Sequence, residues 1–331
     1  MNIVELARAL NISTATVSRA LNNRPEVSAG TRRLVIAKAQ ELGYSPSASA
    51  RQLVSGRNQL IRLECPRYPN ALSDQYLLEV IRALEEPLRK RGYALIIRLD
   101  VNADELPPAG QHSVDGIVII AEPGTTSSDI DEAAKLGELP VVVIGPPESV
   151  ESRYASFVDV DTLPGVEEAL NYLAALGHRN VGYIGSGYLG SLVSAEMPKL
   201  MASAGLDWSP ALTIEAGVSR DDGREAALKQ LSLRNRPTAI FTRTDVLAWG
   251  AMEAANSLGL EVPVDVSIIG HDNIKISSTL NPPLTTVAIN ITEVGRLAAE
   301  SLIGMIEDHN PPSKQSSSSH LIIRRSCAAP K

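Results

Sequence analysis

Cysteine is nearly absent. Cys65 and Cys327 are the two thiols in 331 residues, too few for a disulfide framework, and neither stands at metal-ligand spacing with the other or with any of the five histidines. A reducing, cytoplasmic setting is the expectation. Long hydrophobic runs are missing too. The longest, such as 141–144, fall far short of a membrane span, and residues 1–10 hold no continuous apolar stretch of signal-peptide type. Neither a visible export signal nor membrane insertion is expected. Catalytic signatures are also lacking: there is no G-x-S-x-G, no H-E-x-x-H, and His112, His178, His271, His309 and His320 are widely spaced. No metal, cofactor or enzymatic activity is therefore expected, and His178 beside Arg179 reads as a structural turn residue. What the chain does have is 44% hydrophobic and 21% charged residues, a globular composition that excludes wholesale disorder. Its length calls for more than one core.

The net charge of −7 hides an asymmetry. Residues 1–58 carry eight basic residues against three acids, +5, while the rest carry 23 basic and 35 acidic residues, −12. A small basic head on an acidic body suits a head that meets a polyanion and a body that must not adhere to it.

The head reads as three short helices. Ile3, Leu6, Ala7 and Leu10 fall at i, i+3, i+4 and i+7; Asn11-Ile12 breaks the pattern; Ser13, a good N-cap, opens a second helix over 14–21. A third starts near Ser28, buries Val35, Ala39 and Leu42, and stops at Gly43. The first two make a helix-turn-helix. Ser45-Pro46 begins a further helical segment that Gly56 ends, about nine residues long and so marginal unless it folds against something. From Gln59 onward apolar strands alternate with helical stretches. Strands are expected at 60–64, 94–99, 116–121, 141–144, 157–160, 181–184, 212–214, 239–241, 267–270 and 321–323, and helices at 76–91, 163–176, 223–233 and 246–258. This alternation predicts parallel sheets, more than one, hence two doubly wound subdomains with a cleft between them. The Pro/Ser stretch 310–319 reads as a surface loop.

On the second helix Thr14, Ala15, Ser18, Arg19 and Asn22 share a side, opposite Val17, Ala20 and Leu21. Small residues followed one turn later by arginine are what a major-groove reader needs, close approach first and then a bidentate donor for a guanine edge. The hydroxyls of Ser13, Thr16 and Ser18 and the Asn22 amide suit phosphate contacts. The runs Ile3-Val4-Glu5-Leu6-Ala7, Ile12 through Asn22, Val27-Ser28, Thr31-Arg32, Glu41 through Pro46 and Ala50-Arg51-Gln52-Leu53 resemble the head and hinge of the LacI/GalR family of bacterial transcription repressors. Leu176-Gly177-His178-Arg179, Val262 through Gly270 and Pro282 through Val287 resemble that family's body.

The resemblance implies an all-α helix-turn-helix head at 1–45, a hinge helix and linker at 46–58, and an α/β body at 59–331 of two doubly wound parallel-sheet subdomains, periplasmic-binding-protein-like and joined by crossovers. One subdomain would span about 59–159 plus 289–318 and the other about 160–288 plus 319–331. It further implies a homodimer on a palindromic double-stranded DNA operator, with paired hinges in the minor groove. There Leu53, beside Arg51, would be the wedge that opens a central base step. A small-molecule effector, such as a sugar or related metabolite, would bind between the subdomains near Asp74, Tyr76, Phe241, Asp245 and Asp272, at the carboxyl ends of strands. No heptad repeat follows Pro330, so a dimer rather than a tetramer is expected.

The sequence departs from the family where effector chemistry is decided. The usual cleft arginine is matched by Val193, the usual Asn-Asp pair by Thr244-Asp245, the usual aromatic after Gly270 by His271, and 66–74 is irregular. A competing reading is an NAD-binding oxidoreductase or dinucleotide sensor, because Gly185-Ser186-Gly187-Tyr188-Leu189-Gly190 is a G-x-G-x-x-G after a strand. Against it, Pro198 is expected to interrupt the following helix, and the acid at the end of the next strand would have to be Glu215.

Overall fold

The computed structural model describes residues 2–21, 25–44, 57–65, 74–98, 114–121, 125–135, 139–145, 150–186 and 192–331. Asn22, the hinge with Arg51 and Leu53, and positions 187–190 of the glycine turn lie outside the described residues. The chain divides into Met1–Gln59 and Leu60–Lys331.

In the first unit, helix α1 (Ile3–Leu10) opens on Asn2, whose side chain takes the Glu5 amide while Glu5 returns the bond to the Asn2 amide. Helix α2 is Thr14–Leu21 and α3 is Ala29–Glu41. Ser28 caps α3 by accepting from the Thr31 amide at 3.1 Å, and Gly43 turns out of it with φ +62°, a left-handed conformation that glycine adopts without strain. Leu6, Ala7, Val17, Ala20, Val27, Val35 and Ala39 form its core.

The second unit contains two six-stranded sheets wound in the same order. The first sheet runs β11-β5-β4-β3-β1-β2 and is wholly parallel. Its strands are β1 (Leu60–Glu64), β2 (Ala94–Arg98), β3 (Gly116–Ile120), β4 (Val141–Ile144), β5 (Ala155–Asp161) and β11 (Lys314–Ser318). Helices α4 (Gln75–Lys90), α5 (Ser127–Lys135) and α10 (Ile291–Glu307) pack on it. On α4, Leu77, Val80, Leu84 and Leu88 recur at helical spacing and are buried in one cluster with Ile61 and Leu63 of β1 and Ala298 and Leu302 of α10.

The second sheet runs β12-β10-β9-β8-β6-β7, parallel except for the antiparallel β12. Its strands are β6 (Val181–Ser186), β7 (Thr213–Ala216), β8 (Ala239–Thr242), β9 (Ser267–Asp272), β10 (Thr285–Ala288) and β12 (His320–Ile322). Helices α6 (Leu163–Ala175) and α7 (Leu192–Ser203) cover one face; α8 (Arg220–Leu231) and α9 (Asp245–Ser257) cover the other. Covered on both faces, the inner strands β6, β8, β9 and β10 are buried along their whole length. Helices α8 and α9 approach so closely that a Cβ on Gly223 would stand 2.4 Å from the Leu247 carbonyl oxygen.

Two expectations are corrected here. The polar stretch read as a loop is strand β11, paired with β5. An edge strand forms through its backbone alone, so no apolar alternation announced it. Helix α7 runs through Pro198 without a break.

Candidate functional site

The head presents α2. Ser13 caps it, its hydroxyl accepting from the Thr16 amide at 3.0 Å and sharing a 2.8 Å bond with the Thr16 hydroxyl. With Val17 and Ala20 buried, the opposite side shows Thr14, Ala15 and Arg19 to solvent, with Thr16 and Ser18 half-buried. The face is therefore a short helix with small residues at its exposed start and a guanidinium one turn on, able to enter a major groove. Asn22, placed on the same face by periodicity, lies outside the described residues, as do Arg51 and Leu53.

In the body, the strand order of each sheet reverses beside its first strand, and the carboxyl ends at such a switch point form a crevice. Asp74 caps α4, its Oδ1 accepting from the Tyr76 amide at 2.8 Å. Burial pushes the Tyr76 hydroxyl pKa up. Asp272 adds to the rise, Arg243 opposes it, and Asp74 and Asp159 add to it. Charges from both sheets thus act on one phenol: Asp74 and Asp159 from the first, Arg243 and Asp272 from the second. A further link crosses between the sheets, where the Lys275 amide donates to Glu79 Oε1 at 2.9 Å.

Asp272 ends β9 with φ +101° and Asn273 follows with φ +57°. A strained φ of this kind persists only when its surroundings over-determine it, and here they do. Asp245, fully buried at the start of α9, accepts the Thr286 hydroxyl on Oδ1 at 2.5 Å and the Ile274 amide on Oδ2 at 2.9 Å. From the tail, Arg324 donates to Asn273 Oδ1 and to the Leu284 carbonyl oxygen, both at 2.7 Å, and to the Ser277 hydroxyl at 3.1 Å. Burial first, and Asp272 second, push the Asp245 carboxyl well above the usual range.

Two of the proposed contacts need correction. Phe241 presents no aromatic face: it is fully buried and lies nearly parallel to Tyr183, ring centroids 6.1 Å apart. Asp245 is fully buried and has both oxygens engaged in protein bonds. Val193 is buried in the same core as Phe241, so α7 sends no charge toward Asp272 from that position.

Sequence reasoning missed Arg243 and the role of His271. Arg243 follows β8, its amide tied to the Ile184 carbonyl at 2.9 Å, and its NH1 lies 3.2 Å from His271 Nδ1 and 3.8 Å from Asp272 Oδ1. His271 Nδ1 is also 2.8 Å from Asp272 Oδ1. Burial, with Arg243 second, lowers the His271 pKa, while Asp272 opposes the shift. The one available signal was a polar pair where the family resemblance predicted an aromatic.

Most of the glycine turn lies outside the described residues. Of its six residues only Gly185 and Ser186 are described, and there a Cβ on Gly185 would meet the Glu215 carboxylate at 2.4 Å. His178 is a structural tie: its Nδ1 bonds the Thr238 hydroxyl at 2.8 Å, and its Nε2 lies 2.9 Å from the Ala328 carbonyl oxygen. Among the described residues no group of three or more His, Cys, Asp or Glu could hold a metal ion, and no helix is long and apolar enough to cross a membrane.

Residues 2–47 match the model of the bacterial regulatory proteins of the lacI family, and 170–327 match a periplasmic binding protein-like domain. The HTH-type transcriptional repressor PurR of Pasteurella multocida is 32% identical over 316 residues, covering 92% of each chain. The chain belongs to the lacI family of bacterial regulatory proteins. Among solved structures, the lac repressor dimer bound to operator and the anti-inducer ONPF matches with a TM-score of 0.78 at 21% identity, over 99% of each chain. The CelR–cellobiose complex matches with a TM-score of 0.72 at 23% identity, over 98% of this chain and 99% of that one. These likenesses give the fold: helix-turn-helix head and periplasmic-binding-protein-like body. The protein is a transcriptional repressor with a DNA-binding and an effector-binding part, and not an enzyme.

Proposed function

We propose that the protein acts as a homodimer on a palindromic DNA operator, each head placing α2 in the major groove and the two hinges meeting in the minor groove. A small molecule held between the two sheets of the body sets the affinity for DNA. The observation that carries this reading is that one chain joins a separately cored head with an exposed α2 face to a body whose two sheets meet beside the end of β9, where Ile274 packs with Leu77 and Val80 and the Lys275 amide bonds Glu79. A ligand engaging both sides favours one arrangement of the sheets, and it shifts the DNA-binding equilibrium by its differential affinity for the two arrangements.

Arg19 reads a base edge, Thr14 and Ala15 let the helix approach, and Ser13, Thr16, Ser18 and Asn22 hold the backbone register. Arg51 and Leu53 belong to a hinge that folds when DNA supplies the free energy. Asp74, Tyr76 and Asp272 form the effector cradle, with Asp245 as support. The domain limits follow the chemistry: head 1–45, hinge 46–58, and a body whose subdomains exchange the chain three times. Selection of binding sites from random duplex DNA with purified full-length protein tests the reading. A palindrome with half-sites about one helical turn apart supports it. Failure to enrich any sequence, with metabolite extract present or absent, overturns it.

A further inference from the structure

At the amino ends of the strands of the second sheet, opposite the crevice, lies a cavity of about 130 Å³. Its polar lining is His178 before β6, Arg236 and Thr238 before β8, Asp265 before β9, and Lys331 of the tail. All but one of these side chains are engaged within the protein. His178 Nδ1 bonds the Thr238 hydroxyl at 2.8 Å, and its Nε2 lies 2.9 Å from the Ala328 carbonyl oxygen. Asp265 accepts the Lys331 ammonium on Oδ1 at 2.8 Å and the Glu261 amide on Oδ2 at 2.9 Å. Arg236 differs: it is exposed, and among the described residues its side chain makes no hydrogen bond or ion pair.

The rest of the lining is apolar. Pro263 and Pro330 are half-buried and Val264 is exposed, so an apolar wall opens to solvent beside Arg236. The volume is close to the roughly 150 Å³ of an apolar cavity that holds benzene. A guanidinium presents a planar fork of N–H donors that pairs with a carboxylate through two parallel bonds. The one carboxylate in the lining is already paired with Lys331, which leaves that fork for a ligand. A neutral ring would fill the wall and leave the fork unused. Phosphate would use the fork and gain nothing from proline and valine. A carboxylate on a compact apolar body uses both.

We propose that this cavity is a second ligand site, distinct from the crevice between the sheets, and that it binds a small organic acid. The carboxylate pairs with Arg236, and the apolar body lies against Pro263, Val264 and Pro330. The site stands whether or not an effector binds between the sheets, because none of its residues lies at the carboxyl ends of the strands.

The test titrates full-length wild type, Arg236→Gln and Arg234→Gln calorimetrically with benzoate, its neutral counterpart benzamide, and inorganic phosphate. The NMR methyl signals of Val264 and Leu77 report where benzoate sits. Wild type binds benzoate with a dissociation constant of about 1 mM or tighter, within reach of so small a ligand, and binds benzamide and phosphate at least about tenfold more weakly. Arg236→Gln loses at least about tenfold in benzoate affinity, whereas Arg234→Gln, exposed but outside the lining, stays within about twofold. The Val264 signals move with benzoate, and those of Leu77, buried in the core of the first sheet, do not. No benzoate binding up to about 10 mM, benzamide or phosphate bound as tightly, benzoate affinity unchanged in Arg236→Gln, or shifts at Leu77 in place of Val264 overturns the proposal. Should Arg236→Gln fail to fold, the benzamide comparison and the methyl shifts, both made on wild type, decide the matter.

Discussion

Replacing Asp245 separates its two roles, as hydrogen-bond acceptor and as buried charge. Its oxygens take the Thr286 hydroxyl and the Ile274 amide, and Ile274 is itself buried in the core of the first sheet with Leu77 and Val80. Asp245 thus ties the second sheet to a side chain inserted into the first. Asp245→Ala leaves two buried donors without an acceptor, at about 1–3 kcal/mol each, so a loss of about 2–6 kcal/mol is expected. Asp245→Asn keeps an oxygen for Ile274, and its amide can donate to the Thr286 hydroxyl. It also removes an ionisation that the fold resists, since burial first, then Asp272, raise the native pKa. A carboxyl with a raised native pKa holds its proton more tightly folded than unfolded. The stability it contributes is therefore full below the unfolded value of about 4 and is lost as pH rises toward the raised value. Asp245→Asn should gain on wild type as pH rises above about 4, by about 1.4 kcal/mol for each unit by which the native pKa exceeds the unfolded one. Urea unfolding of wild type, Asn and Ala variants across pH 4 to 7 reads this out. An Asn–wild type difference that is flat or shrinks with rising pH would refute the reasoning, as would an Ala variant as stable as Asn.

Other consequences are open to direct measurement. Arg19→Ala removes the base-edge donor and should cost about 1–3 kcal/mol at the preferred base while leaving non-specific DNA binding nearly unchanged, checked by competition between preferred and mutated duplexes. With Leu53 as the proposed wedge at the central step, Leu53→Ala should weaken operator binding and reduce DNA bending, measured by fluorescence energy transfer across the duplex. Gly223→Ala places a Cβ 2.4 Å from the Leu247 carbonyl oxygen and should destabilise the body by about 1–3 kcal/mol through overpacking between α8 and α9, visible in thermal unfolding. Arg243→Gln removes a charge that lowers the His271 pKa; the imidazole should then titrate higher by NMR, and an unchanged or lowered value would count against the geometry.

The helical periodicity of the head was legible because three short helices with Ser13 and Ser28 as caps leave clear local marks. The body's alternation was legible too, since parallel strands buried on both faces must be apolar throughout. Strand β11 was not, because an edge strand of lysine, glutamine and serine carries no burial pattern: pairing with β5, distant in sequence, makes it a strand. Pro198 misled because proline is a helix breaker on average, yet α7 accommodates it. Asp272 and Tyr76 were placed by family resemblance, and the Asp272 charge raises the Tyr76 pKa after burial. Phe241 and Asp245 fell at strand and helix ends, where sequence cannot say whether a side chain turns into the crevice or into the core. Both turn inward. Arg243 and His271 were invisible as a pair because residues 28 apart meet only when β8 and β9 lie side by side.

The central claim is that two heads of one dimer read two half-sites together. Full-length protein titrated onto its selected operator, and onto the same duplex with about five base pairs, half a helical turn, inserted between the half-sites, tests it most directly. The account predicts two protein chains per duplex and a loss of at least about a hundredfold in affinity on insertion, because the second head is carried to the opposite side of the helix. Equal affinity for the two duplexes, or one chain bound per operator, would contradict it.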